Sequence, residues 1–352
     1  MNLSFITNLI DVFSNNIAID LGTANTPIYV KGKGIKLCEP SYIAIDKEEE
    51  KILATGHDAK HMEGRVPKHI EVIRPMKHGV ISDFEAVTEM LSIFMKRLDR
   101  RNSIIGPKVI ISIPSRSNSV EERTVIEALT QAGAREVCTV EQPVAAAIGC
   151  GLPILDARGN MIIDTGGGTT QVSVISMGGS IVNENLKVAG DELTEKIIGF
   201  MRQHHNIAIG NNTAEEIKIF LGSAYPHPDE MSMTVKGSDV ISGLPKTVKI
   251  HEGEIREILS ETLKEMLDII KIGLEKTPPD LMNDIQEYGI ILTGGTSLLK
   301  GFDKVIEKLT GIPAKIARDP VSTVAIGLGH LFTNQDLFKE VMKEKNQIQY
   351  YI

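Results

Sequence analysis

Apolar positions along this chain follow two rhythms. Across residues 84–98, Phe84, Val87, Met90, Leu91, Phe94, Met95 and Leu98 recur at three- and four-residue steps, which predicts a helix with one buried face. Shorter β-branched runs behave differently. Ile17-Ala18-Ile19-Asp20 reads as a strand entering a turn, Ile28-Tyr29-Val30 as its return, and Gly32 and Gly34 as the hairpin that follows. Val109–Ile113 is apolar and β-branched and stops at Pro114, the pattern of a buried strand. Residues 119–132 are predicted helical, opened by Ser119 with Glu122 three positions on as a capping box, and another helix begins at Val144–Ile148.

The second half repeats this outline. Met161-Ile162-Ile163-Asp164 is an apolar strand ending in a carboxylate, a glycine-rich turn follows, and Val172-Ser173-Val174-Ile175 returns. Helical periods recur at 191–203, 213–223 and 253–275, and Gly289-Ile290-Ile291-Leu292 forms a third strand. Strands alternating with helices predict an α/β architecture, and no low-complexity linker interrupts it, so the domains are expected to interleave. The last 20 residues are polar and charged and are expected to form a mobile tail.

Composition narrows the class. The 352 residues are 42% hydrophobic and 24% charged, a globular balance long enough for two domains. A net charge of −8 argues against nucleic-acid binding through the phosphate backbone. Cys38, Cys138 and Cys150 are too scattered for a disulfide scaffold or a zinc site and are expected to be small buried hydrophobes in a reducing cytoplasm. No apolar run approaches the roughly 20 residues of a membrane-spanning helix. No Lys or Arg precedes Lys31, so the first residues do not read as a secretory signal.

The chemistry concentrates in three glycine turns, each following an apolar strand: Asp20-Leu21-Gly22-Thr23-Ala24-Asn25, Asp164-Thr165-Gly166-Gly167-Gly168-Thr169-Thr170 and Thr293-Gly294-Gly295-Thr296. Glycine lets backbone N–H groups approach a phosphate closely, and threonine hydroxyls add donors. The two carboxylates would repel phosphate directly but suit Mg²⁺, which keeps its waters and bridges to phosphate oxygens. Two such turns can clamp a nucleoside triphosphate from opposite sides, while the third lets a flat base lie on backbone. Neither a P-loop nor a dinucleotide-binding fingerprint is present.

These residues resemble the actin, Hsp70 and sugar-kinase superfamily, and within it the bacterial rod-shape-determining MreB family. The stretches that carry the likeness are IAIDLGTANTPIYVKGKGI at 17–35, GHDAK at 56–60, IRPMKHGVISDF at 73–84, GAREVCTVEQPVAAAIGCGLP at 133–153, IIDTGGGTTQVSVIS at 162–176, AGDELTEKII at 189–198, TAEEIK at 213–218 and GIILTGGTSLLKGF at 289–302. The resemblance implies an actin/Hsp70-like (ribonuclease H-like) two-domain fold around an ATP cleft, each domain with a large and a small subdomain. It implies a first domain of residues 1–150 (small subdomain about 33–72) completed by 320–352, and a second of 151–319 (small subdomain about 187–250). ATP or ADP with Mg²⁺ is then expected at Asp20, Gly22, Thr23, Ala24, Asn25, Asp164, Gly166, Gly167, Gly168 and Thr169, with Asp20 and Asp164 holding the metal through water. Adenosine contacts map to Gly294 and Gly295, and to Glu215 and Lys218, for which a solvated helix face is the competing reading.

Four positions depart from the family pattern. Glu141-Gln142-Pro143 stands where Glu-Glu-Pro is usual, and the second Glu of that motif positions the attacking water. Gln142 can orient water but cannot take its proton. Actin carries Gln at the equivalent place, so slow hydrolysis with Gln142 and Thr169 placing the water is one reading, and a nearly inactive nucleotide-binding subunit is the other. Glu141 is a candidate to compensate, although strand neighbours usually face opposite ways. Pro27 removes a backbone donor, which suits an edge or a bulge. Thr296 replaces the third glycine of the usual turn and is expected to narrow the adenine pocket. Gln171 stands where Glu is common.

Two segments are candidates for a membrane surface. In the leader, residues 1–16, Leu3, Ile6, Ile10 and Phe13 sit at helical spacing; an interfacial helix and a segment packed on the protein's own surface or disordered are both open. Ile104 and Ile105 lie in a loop with Arg100 and Arg101, a pattern that suits shallow insertion beside anionic headgroups, or else a cap on the following strand. The resemblance implies a cytoplasmic, peripherally membrane-associated protein whose partner is itself, in antiparallel double protofilaments, with paralogous filament proteins as further partners. It implies a role in cell shape, or motility in a wall-less cell. A chaperone-type ATPase would need a substrate domain beyond the last motif, and a superfamily kinase would need an acceptor pocket and a base.

Overall fold

The computed structural model describes residues 16–98, 106–226, 228–229 and 231–349. The leader (apart from Asn16) and the candidate membrane residues Arg100, Arg101, Ile104 and Ile105 lie outside the described residues. No helix among the described residues is long and apolar enough to cross a membrane.

Two five-stranded sheets share one plan. In the first, Ile17–Ile19, Asn25–Val30 and Gly34–Pro40 form an antiparallel meander, and Lys108–Ile113 and Glu136–Glu141 add in parallel beyond Ile17–Ile19. In the second, Asn160–Thr165, Thr170–Ser176 and Gly179–Leu186 form the meander, with Ile290–Thr293 and Ala314–Ile316 added in parallel. A three-stranded sheet of Ile43–Asp46, Lys51–Thr55 and Ile70–Ile73 is inserted after the first meander, and one of Ile207–Ala208, Ser232–Asp239 and Pro245–His251 after the second.

Strand alternation sorts side chains into layers. Ile17, Ile19, Val109 and Ile111 face outward onto helices Phe84–Leu98 and Ser119–Gln131. Met161, Ile163, Val172 and Val174 face outward from the second sheet, where Leu193, Ile197, Leu259 and Leu263 cover them. The inner faces, with Ala18 and Ile110 on one side and Ile162 and Ile175 on the other, enclose a central layer made by helices Gln142–Gly149 and Thr323–Leu331. These two helices touch backbone to backbone. A Cβ on Gly327 would lie 1.8 Å from Ala145 O, and one on Gly149 would lie 2.0 Å from Thr323 O, so only glycine fits either place.

Four expectations need correction. The 119–131 helix is capped one residue earlier: Asn118 Oδ1 accepts from the N–H groups of Val120 (3.0 Å) and Glu121 (2.9 Å), and Glu121 accepts from Asn118 N–H (3.1 Å). Glu122 instead accepts from the Thr139 hydroxyl. Pro27 is in an inner strand, one residue before the bulge at Ile28/Tyr29. It is tolerated because Asn25–Val30 has run past the end of Ile17–Ile19 there, and only the Pro27 carbonyl is needed, accepting from Asp20 N–H (3.1 Å). Cys38 is exposed on its strand, and Cys138 and Cys150 are half-buried. The expected tail is helical over Gln335–Gln349; Leu337, Phe338 and Val341 pack on the central layer at helical spacing, which a polar composition concealed.

Candidate functional site

Each meander's first turn points at the same cavity, of about 420 Å³, and so does the turn after Ile290–Thr293. Asp20, Gly22, Thr23, Ala24, Asn25, Asp164, Gly166, Gly167, Gly168, Thr169, Glu215, Lys218, Gly294, Gly295, Thr296 and Gln142 all line it. Glu141 does not; its Oε2 accepts from the hydroxyls of Ser180 (3.0 Å) and Ser115 (3.4 Å).

The turns meet at contact distance. A Cβ on Gly167 would lie 2.8 Å from the Ala24 Cβ, and one on Gly168 would lie 2.9 Å from the backbone of His78. Gly294 takes a positive φ of 83°, and a Cβ there would lie 2.2 Å from Thr165 O. Thr296 is not merely a wider residue in the pocket wall: its hydroxyl donates to Gly166 O (2.7 Å) and ties the third turn to the second. Gly79 N–H donates to Thr23 Oγ1 (3.0 Å), holding the first turn from above.

Asp20 and Asp164 are 8% and 4% exposed. Asp20 accepts from the Ser112 hydroxyl (2.6 Å), and Asp164 accepts from Gln142 Nε2 (2.8 Å). Among the described residues no basic group pairs with either. Burial pushes the Asp20 carboxyl up to about 6 against the opposing Ser112 bond. Burial and then the neighbouring Asp20 charge push Asp164 up to about 7, against its bond from Gln142. Two buried carboxyls bordering a cavity are a donor set that could hold a hard ion such as Mg²⁺. No cluster of three or more metal-ligating side chains exists among the described residues, so a cage built from protein alone is not the design there.

The far end is different. Lys218 Nζ donates to Glu215 Oε2 (2.7 Å), Gly190 O (2.7 Å) and Thr194 Oγ1 (2.9 Å), and the Thr194 hydroxyl donates to Glu215 Oε2 (2.8 Å).

Several cavity residues had no role assigned from sequence. Arg74 Nη2 donates to both Asp191 carboxylate oxygens (3.0 and 2.8 Å) and to Thr23 O (3.2 Å), joining the two halves across the cleft. Asn212 Nδ2 donates to Lys60 O (3.3 Å) and Asn211 Nδ2 to Glu63 Oε1 (3.2 Å), repeating that crossing between the small sheets' helices. Arg74 and Asp191 both lie in stretches that carried the family likeness, and Ser112 was visible as the one polar residue in the run Val109–Ile113.

Known proteins share this plan. The MreB/Mbl protein family model matches residues 14–340. The cell shape-determining protein MreB of Escherichia coli (strain K12) is 44% identical over 324 residues, covering 90% of this chain and 93% of that protein. The cell shape-determining protein Mbl of Bacillus subtilis (strain 168) is 41% identical over 325 residues, covering 92% and 98%. In structure, MreB 5 of Spiroplasma citri bound to AMPPNP superposes with a TM-score of 0.87 at 35% identity, covering 94% of this chain and 98% of that one. With the duplicated sheets and the cleft between them, these matches establish the actin-like two-domain fold, and the chain belongs to the MreB/Mbl family.

Proposed function

We propose that this chain binds ATP or ADP with Mg²⁺ in the cleft and assembles with copies of itself into actin-like filaments that support cell shape, or motility in a cell without a wall. The observation that carries the reading is the pair of buried carboxylates, Asp20 and Asp164, on two glycine turns that meet at one cavity. Burying such charge without a cation is costly, and Mg²⁺ arriving on phosphates offsets that cost. That the similar Spiroplasma citri protein binds AMPPNP supports a nucleotide as the ligand.

Asp20 and Asp164 would hold the metal, which supplies neutralisation of phosphate charge when bound. Backbone N–H groups of the first two turns cradle phosphates, Gly294, Gly295 and Thr296 floor the adenosine end, and Glu215 and Lys218 border it. Hydrolysis is slow in this reading. Gln142 and Thr169 orient a water whose oxygen bonds to the γ-phosphorus as the bond to the ADP oxygen breaks. The water's proton leaves to phosphate or solvent, since an amide does not accept it. Glu141 supports this region from outside the cavity through Ser115 and Ser180.

The two domains run as residues 1–150 completed by 320–352, and 151–319. Packing of helix Thr323–Leu331 on the first sheet supports the crossing back. Filaments lie at the inner face of the cytoplasmic membrane, in antiparallel pairs, with Ile104, Ile105, Arg100 and Arg101 as the contact; Ile104→Ser with Ile105→Ser then weakens liposome co-sedimentation. A second reading, a hydrolysis-poor paralogue that co-assembles with a partner filament protein, draws on the Gln at position 142. Pelleting and imaging of the purified chain with and without Mg-ATP separates the two. Filaments that need ATP support self-assembly; ATP binding without polymer at any concentration rejects it.

A further inference from the structure

One buried side chain beside the cleft has no part in the chemistry so far. Gln171 is 1% exposed on strand Thr170–Ser176 and does not line the cavity. Its Nε2 donates to Gln142 Oε1 (2.8 Å), and its Oε1 accepts from the Ser115 backbone N–H (3.4 Å). Gln142 Nε2 in turn donates to Asp164 Oδ2 (2.8 Å). A single line of hydrogen bonds therefore runs from Ser115 through two amides to the carboxylate.

An isolated amide can sit in either of two flipped orientations. Here the Ser115 end of the line has fixed polarity, because a peptide N–H only donates. From that end, a single arrangement satisfies every member: Gln171 oxygen to Ser115, Gln171 nitrogen to the Gln142 oxygen, Gln142 nitrogen to Asp164. Among the described residues Gln142, which lines the cavity, makes no other side-chain hydrogen bond, so one lone pair and one N–H remain to it.

We infer that Gln171 is a positioning residue for nucleotide hydrolysis, holding the Gln142 amide in the orientation that meets the attacking water. The inference rests on the reading that Gln142 places that water. A group held in place before the reaction needs no reorganisation during it. Glu at 171 would keep the Ser115 bond but lose the donor and set an oxygen against Gln142 Oε1. Gln142 would then turn, leaving its carbonyl against Asp164.

The test is phosphate release from Mg-ATP by the full-length chain, its Q142A and Q171E variants and the double variant. Each single variant is expected to lower kcat on the order of tenfold, as loss of an outer-sphere partner does. KM for ATP moves by less than about twofold. The double variant is no slower than Q142A, because Gln171 acts only through Gln142. Full kcat in Q171E, or a further loss of the same size on adding Q171E to Q142A, overturns the assignment and leaves the role of Gln142 standing. Wild-type turnover in Q142A, or a wild-type protein that binds ATP and releases no phosphate, removes the underlying reading and the relay with it. Should Q171E fail to melt cooperatively, Q171M, similar in length and without an amide, takes its place in the cycle.

Discussion

The two ends of the cleft handle buried charge in opposite ways. At the phosphate end Asp20 and Asp164 are pushed up to about 6 and about 7, chiefly by burial, with no basic group beside them among the described residues. At the far end burial also pushes the Glu215 carboxyl up, but Lys218 at 2.7 Å and the Thr194 hydroxyl outweigh it and hold it below the usual range. One end is balanced by its own residues; the other carries two buried carboxyls with no basic group beside them among the described residues. The contrast teaches where to look for chemistry in such a cleft: the settled pair makes a preformed floor, and the unsettled pair is the position of the proposed metal.

Asp164→Asn tests the contrast most severely. It should raise the Kd for Mg-ATP about a hundredfold, since it removes half of the proposed metal site. It should also raise the Tm of the nucleotide-free protein by roughly 3–6 °C, because a buried charge is removed. An unchanged Kd together with a lower Tm would make Asp164 an ordinary structural carboxylate.

The next effect is on pH. The folded Asp164 and Asp20 carboxyls hold protons at pH values where unfolded carboxyls, near 4, have lost theirs, so folding takes up protons between about pH 7 and about pH 4. The stability these groups withhold at pH 8 is recovered as pH falls through about 7 and about 6. The Tm gap between Asp164→Asn and wild type, measured without nucleotide, should therefore shrink as pH is lowered. A gap that stays constant with pH would disprove this origin.

At the settled end, Lys218→Met leaves Glu215 without its partner. The expected cost is about 1–2 kcal/mol in urea unfolding, below that of a fully buried pair because Glu215 is 33% exposed. Glu215→Gln should cost less. The reverse order would show that the carboxylate, not the ammonium, organises this end.

The smallest change is expected from Arg74→Ala. Its ion pair with Asp191 is about a quarter exposed on both sides and is worth less than about 1 kcal/mol. Its loss should appear as faster amide exchange over Asn211–Leu221 with little change in Tm. Unaltered exchange would mean that the remaining cross-cleft contacts hold the halves unaided.

Much of this was legible before any coordinates. Helix 84–98 and the first two strands of each meander follow from period alone, since a strand inside a layered fold and a helix on its face leave different spacings of apolar residues; the third strand of the second meander, Gly179–Leu186, did not. The glycine turns were legible because backbone crowding leaves no other residue type at Gly294. What escaped were relations between distant side chains. The pattern around residue 119 suited Ser119 as well as Asn118, and only the geometry shows which oxygen reaches the N–H groups. Gln142 and Gln171 read as two separate oddities, because 29 positions of sequence hide a 2.8 Å contact. Arg74 and Asp191 each lay in a stretch of family likeness, but 117 positions of sequence hide the contact between them.

The glycine seam at Ala145–Gly327 and Gly149–Thr323 has a mechanical meaning. Two rods laid against each other without projecting teeth form a bearing. They resist being driven closer, because backbone already meets backbone, and they resist being pulled apart, because the joint is buried. A side chain at either glycine would act as a wedge, forcing apart the two helices and with them the two sheets whose inner faces they fill.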